Sequence, residues 1–323
     1  MSSSPIEELE KGIEKLETGA TVNPEDVKAC EASIRSIVET VYVQGGLEKD
    51  EKARTTMNQM LEKKLLKSIL YHMPDFSPKS RQDIKNIWLI ALKSEAMAAA
   101  VDDYMRASPE LLILLIRGYT KADMVQTFGD ILRACIKHEA MLYLILFSPM
   151  VWQFFNFVTA EEYEKSADAF KTFKAMLTRA VSTHKKHVAK FLKEHFKQFF
   201  TQFRRLLTDE RYHVKRQSLR LLSEVLQARE NFSVMVKFIS QPSNLELMIS
   251  HLCQTDNQKK GIKSESFHVF KFFVANPKKP KEIVAVLVTH KEKLLKTLTA
   301  MTRDGSDYGR ELPLLIQRLK ELP

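Results

Sequence analysis

Arg216 and Arg220 stand four residues apart, and Ser223 and Gln227 extend the series to i+7 and i+11. On a helix that spacing puts all four side chains on one face. Val214, Leu221, Leu222 and Val225 fall on the opposite side. A guanidinium is a permanently charged planar fork of donors, suited to gripping carboxylates rather than to making or breaking bonds. Just past this stretch, Arg229 and Phe232 set a cation beside an aromatic ring, a combination favoured at protein interfaces. The chemistry on offer is recognition of an acidic partner. A solvated arginine face accounts for the same residues.

Bond-making constellations are missing. The nine glycines never fall as GxGxxG or GxxxxGK, and neither HExxH nor GxSxG occurs. His184-Lys-Lys-His187 has helical spacing, but its lysines disfavour a metal ion, so it reads as a solvated face. His138 and His268 lie near apolar positions and read as structural. The acidic turn Asp304-Gly-Ser-Asp-Tyr-Gly lacks the alternating ligands and distant Glu of an EF-hand loop. Cys30, Cys135 and Cys253 are odd in number and scattered, which fits reduced core thiols. These readings predict no catalytic residue, no metal and no cofactor.

Charge narrows the partner class. The chain of 323 residues carries a net +10. Between Arg179 and Glu230, thirteen Lys or Arg face five Asp or Glu, a local net of +8. The first hundred residues count slightly acidic. Such a zone suits nucleic acid, an anionic membrane surface or an acidic protein face. The longest apolar runs, Leu111–Ile116 and Ala140–Phe147, are too short to span a bilayer. The acidic start has no apolar leader. A cytoplasmic location without membrane insertion is expected.

Helices must position these residues. Ser4-Pro5, Asn23-Pro24, Ser77-Pro78, Ser108-Pro109 and Ser148-Pro149 each put a capping side chain before a proline suited to the first helical position. Ser4 and Glu7 have capping-box spacing. Val27, Cys30, Ile34, Ile37, Val38 and Val41 form one apolar stripe, and Met60, Leu61, Leu65, Leu66 and Leu70 another.

The pattern repeats. Asp168–Leu177, Gln217–Leu226 and Glu265–Val274 share a small residue followed by apolar residues at matching offsets, with weaker copies at Asp123–Leu132 and Asp83–Leu92. A period of about 40 to 50 residues fits armadillo or HEAT units. Phe170, Phe173, Phe267, Phe270 and Phe273 are then core residues. The expected fold is all-α: an armadillo/HEAT-like right-handed superhelix of stacked repeats, crescent-shaped, whose concave wall receives partners.

Four stretches are familiar beyond this pattern. Val214-Lys-Arg-Gln-Ser-Leu-Arg-Leu-Leu222, Ser266-Phe-His-Val-Phe-Lys-Phe-Phe-Val-Ala-Asn-Pro277, Ser166-Ala-Asp-Ala-Phe-Lys-Thr-Phe-Lys174 and Ile131-Leu-Arg-Ala-Cys-Ile-Lys-His-Glu139 resemble the calcium-binding protein 39 family, the Mo-type kinase scaffold. The resemblance is strong from about residue 110 to 300 and weaker before. It implies a single domain over 1–323: divergent repeats at 1–110, family-like repeats at 110–300 and a capping segment at 301–323. It also implies no enzymatic activity and a chain that is monomeric alone. The implied partners are a STRAD-type pseudokinase, in support of liver kinase B, and Ste20-like germinal-centre kinases. The concave wall would grip the kinase near its regulatory helix. A separate pocket would take a Trp-Glu-Phe tail peptide.

Residue by residue, the resemblance assigns Tyr163, Tyr212, Arg220, Arg229 and Phe232 to the kinase face. It assigns Arg216, Ile249, Thr289 and Lys293 to the tail-peptide pocket. Arg220 stands where the family usually has lysine, and Tyr163 where phenylalanine is usual. Ile249 replaces a methionine, while Thr289 and Glu246 each replace a lysine. The wall is therefore expected to be retained and the pocket altered. A helical-repeat scaffold for cell-division or cytoskeletal assembly is the alternative, and nucleic acid ranks behind both.

Overall fold

Local chemistry starts the helices. In the computed structural model, Ser4 Oγ accepts from the Glu7 amide while the Glu7 carboxylate accepts from the Ser4 amide, closing the capping box. Asn23 and Ser77 cap their helices from the side chain, each with proline at the first helical positions. Two expected caps come out differently. At Ser108 the helix begins only at Glu110, because Leu111 and Leu112 donate to the carbonyls three residues back in a tightened first turn. The Ser108 side chain makes no capping bond there. Ser148 does cap, through the Met150 amide, but the element it opens is a 3-10 helix, Pro149–Gln153.

The structure describes residues 4–19, 22–44, 46–179, 181–254, 260–303 and 311–323. The acidic turn at Asp304 lies outside them. The described residues contain helices and turns but no strand. The chain divides into two compact units, Met1–Met176 and Leu177–Pro323. The first holds α1 (Pro5–Thr18), α2 (Pro24–Val41), α3 (Glu51–Glu62), α4 (Leu65–Tyr71), α5 (Pro78–Lys93), α6 (Ala98–Ala107), α7 (Glu110–Arg117), α8 (Val125–Cys135), α9 (Glu139–Leu146), α10 (Phe154–Phe157) and most of α11 (Tyr163–Thr178). The second holds α12 (Ser182–Glu194), α13 (Phe196–Thr208), α14 (Tyr212–Gln227), α15 (Phe232–Ile239), α16 (Pro242–Leu252), α17 (Lys260–Ala275), α18 (Lys281–Thr289), α19 (Lys291–Arg303) and α20 (Glu311–Lys320).

The repeating segments are the helices that stack on one another. In the first unit α2 packs on α5 and α5 on α8. Arg133 of α8 then reaches Asp168 of α11 at 2.8 Å. In the second unit α14 packs on α17 and α17 on α20. Each stacking helix buries an apolar stripe against its neighbours, as a repeat that cannot close its own core must. Phe170, Phe173, Phe267, Phe270 and Phe273 are all buried.

A polar cluster ties the first ladder together. Arg133 also donates to Thr172 at 2.6 Å and to Asp130 at 2.7 Å, and Lys85 of α5 reaches Asp130 at 3.1 Å. The Tyr119 hydroxyl donates to Asp168 at 2.8 Å, with its ring stacked on Phe157. Burial, reinforced by Asp168, pushes the Tyr119 phenol far above its usual range. Gly129 makes room for the cluster. A Cβ there would lie 2.7 Å from the Tyr119 hydroxyl and 2.9 Å from Arg133 Nη1.

Two histidine readings divide. His138 is structural: Nδ1 faces Asp102 at 2.9 Å and Nε2 faces the Leu92 carbonyl at 2.8 Å. His184 is not on a solvated face. It is buried, because it shares the apolar stripe of α12 with Val188, Phe191 and Leu192. Cys30 and Cys135 are buried free thiols, and Cys253 is half-buried.

Candidate recognition surface of the second unit

α14 is set by its sequence. Val214, Leu221, Leu222 and Val225 are buried, while Arg216 and Arg220 are exposed on the other side, as their spacing requires. Arg211, just before the helix, forks onto Asp209 with contacts of 2.9 and 2.8 Å and holds that carboxyl below its usual range. The clamp fixes the chain's entry into α14.

Tyr212 and Arg216 both lean on α17 at Gly261. A Cβ on Gly261 would sit 2.8 Å from Arg216 Nε and nearer still to the Tyr212 hydroxyl. Arg216 Nε also faces Glu265 at 3.7 Å, and Arg220 Nε faces Glu224 at 3.6 Å. Both pairs are long and their arginines about half and two-thirds exposed, so the guanidiniums keep donors for an incoming carboxylate.

At the other end of α14 the chain turns through Arg229–Asn231 into α15. Asn231 holds the turn by donating from Nδ2 to the Val225 carbonyl at 2.8 Å. Arg229 is exposed, and the Phe232 ring is 64% exposed where a ring of that size is normally covered. Val236, one turn on, is also exposed. A cavity of about 590 Å³ lies under them, lined by Phe232, Met235, Val236, Ile239, Phe272 and Ala275. Val236 and Phe272 were not among the expected site residues. The Phe232/Val236 spacing of four was the available signal, but apolar residues at that spacing usually face a core.

The remaining expected residues are more dispersed. Tyr163 is exposed at the start of α11, in the first unit. Ile249 is 3% exposed on α16, which packs on α17 and α18. It therefore supports a surface from beneath rather than presenting itself. Thr289 and Lys293 are exposed at the end of α18 and start of α19. The Thr289 hydroxyl donates to Ala285 of its own helix at 2.9 Å. Among the described residues no cluster of three or more His, Cys, Asp or Glu could hold a metal ion. No single described helix is long and apolar enough to cross a membrane.

Stacked helices carrying an exposed cation–aromatic surface define a helical scaffold. The Mo25-like family model matches residues 3–323, so the likeness also covers the N-terminal repeats where the sequence motifs are weaker. A Mo25-like protein of Schizosaccharomyces pombe is 37% identical over 79% of this chain and 76% of its own length. The human calcium-binding protein 39-like protein is 38% identical over 68% of this chain and 64% of its own. MO25-like protein 2 of Caenorhabditis elegans is 33% identical over 84% and 80%. The chain belongs to the Mo25-like family.

Proposed function

We propose that this protein is a non-enzymatic cytoplasmic scaffold that holds a Ste20-like kinase or STRAD-type pseudokinase in its active conformation. The observation that carries the reading is the Arg229–Phe232 surface, an exposed ring beside an exposed cation on a chain of this family. Aromatic and arginine side chains of this kind dominate binding energy when a partner covers them. Tyr212 and Arg220 of the second unit belong to the kinase-facing set, and Tyr163 of the first unit is a separate kinase contact in this reading. Arg216, Thr289 and Lys293, with Ile249 beneath, form the tail-peptide pocket. With Thr289 and Glu246 in place of lysines, that pocket attracts an acidic tail less strongly.

Activation sets an energetic requirement. The scaffold must bind the active kinase conformation better than the inactive one, since equal affinity shifts no population. The test is capture of Ste20-like kinases by the purified chain, followed by a phosphorylation assay. Binding together with a raised kinase rate is expected. Capture of cell-division or cytoskeletal proteins with no kinase among them replaces this reading with the structural-assembly one.

A further inference from the structure

A second opening lies beside the Arg229 turn. It holds about 300 Å³, between the start of α12, the end of α14 and the turn. Arg179, Lys185, Val188, Glu224, Gln227 and Asn231 are among its walls. Asn231 is 2% exposed, and its Nδ2 is committed to the Val225 carbonyl, which leaves Oδ1 as an acceptor. That oxygen is buried with no hydrogen-bond partner, and so is Arg179 Nε. Two residues of this wall thus each carry a buried polar atom without a partner, an acceptor on Asn231 and a donor on Arg179. Native interiors rarely leave such groups unmatched.

We propose that this cleft binds an acidic side chain of an extended segment in a partner protein. The carboxylate accepts from Arg179 Nε–H beside the Lys185 ammonium, and the neighbouring main-chain N–H donates to Asn231 Oδ1. Charge favours this occupant. Among the lining residues Arg179 and Lys185 oppose Glu224, which already faces Arg220 at 3.6 Å. The cleft is left net positive, and one carboxylate neutralises it. Val188 and its apolar neighbours suit the methylenes of the same side chain. A phosphate fits less well, since its second negative charge exceeds what the cleft can neutralise and is repelled by Glu224. A side-chain amide matches the hydrogen bonds but leaves the charge uncompensated.

The inference rests on the scaffold reading only in drawing the acid from a partner protein. Its test contains no kinase, so a failed kinase capture leaves the result standing. The probes are N-acetyl-glutamic acid N′-methylamide, the corresponding glutamine compound and inorganic phosphate, titrated into the full chain. The amide resonances of Arg179 and Ala228–Asn231 are followed by nuclear magnetic resonance. The glutamate probe is expected to saturate in the millimolar range, with the glutamine probe about tenfold weaker and phosphate giving no saturable shift. Arg179→Gln and Lys185→Gln, both in the cleft wall, are each expected to weaken the glutamate probe about tenfold with the fold intact. No saturation, equal response to glutamate and glutamine, saturation by phosphate, or full binding in Arg179→Gln each overturns the proposal.

Discussion

Arg216 lies against Gly261, with a Cβ on that glycine placed only 2.8 Å from its Nε. A close contact between α14 and α17 thus falls under two of the residues expected to face a partner. Gly261→Ala pushes Tyr212 and Arg216 outward. The atoms the added methyl meets belong to two exposed, flexible side chains, which can yield at little cost. The expected outcome is near-normal stability by thermal melting with kinase capture reduced about fivefold or more. Unchanged capture shows that the position of these two side chains does not govern binding.

Phe232→Ala separates recognition from folding. The ring is 64% exposed, so its removal changes stability by about 0.5 kcal/mol or less. If the ring anchors a partner, the loss in binding is about 2 kcal/mol or more, roughly thirtyfold. Arg229→Ala with Phe232→Ala should abolish both capture and activation. Parallel denaturant curves and binding isotherms check both halves.

These two variants also mark where the sequence was legible. Caps at Ser4, Asn23 and Ser77 could be read because a capping bond is local. The stacking helices could be read because their stripes recur. Gly129 and Gly261 could not, since a glycine's role as a contact point depends on a helix that the chain reaches many residues earlier or later. His184 misled because its lysine neighbours are polar while its own phase on α12 is apolar. The unmet oxygen of Asn231 arises only once the turn has committed its amide nitrogen to Val225.

Gly129→Ala tests the polar cluster of the first unit. The added methyl meets the Tyr119 hydroxyl, Asp168 and Arg133 together, and an opened buried network leaves charges unmatched. A loss of about 2–4 kcal/mol is expected. Tyr119→Phe removes one hydroxyl from the same cluster and is expected to cost about 1–2 kcal/mol. Urea titration measures both, and limited proteolysis should open the first unit before the second.

His251 gives the second unit a pH dependence. Burial, aided by Lys215 and Arg204, lowers its pKa from 6.5 to about 4. The folded state holds it neutral while the unfolded chain takes up a proton below about pH 6.5. Its contribution is therefore fully present above that pH and lost as pH falls toward 4. At pH 5 the loss is about 2 kcal/mol. His251→Gln should flatten the stability profile between pH 7 and 5, as read by urea midpoints.

The ladder has a consequence for how the protein is made. α2 meets α5, α5 meets α8, α14 meets α17 and α17 meets α20, so each of these helices finds a partner about one repeat away. Contacts of such modest sequence separation ask little loop-closure entropy and favour rapid folding. A ribosome releases the chain in the order in which these neighbours stack. The first helices can bury one another before the last are translated, and synthesis and assembly run in the same direction.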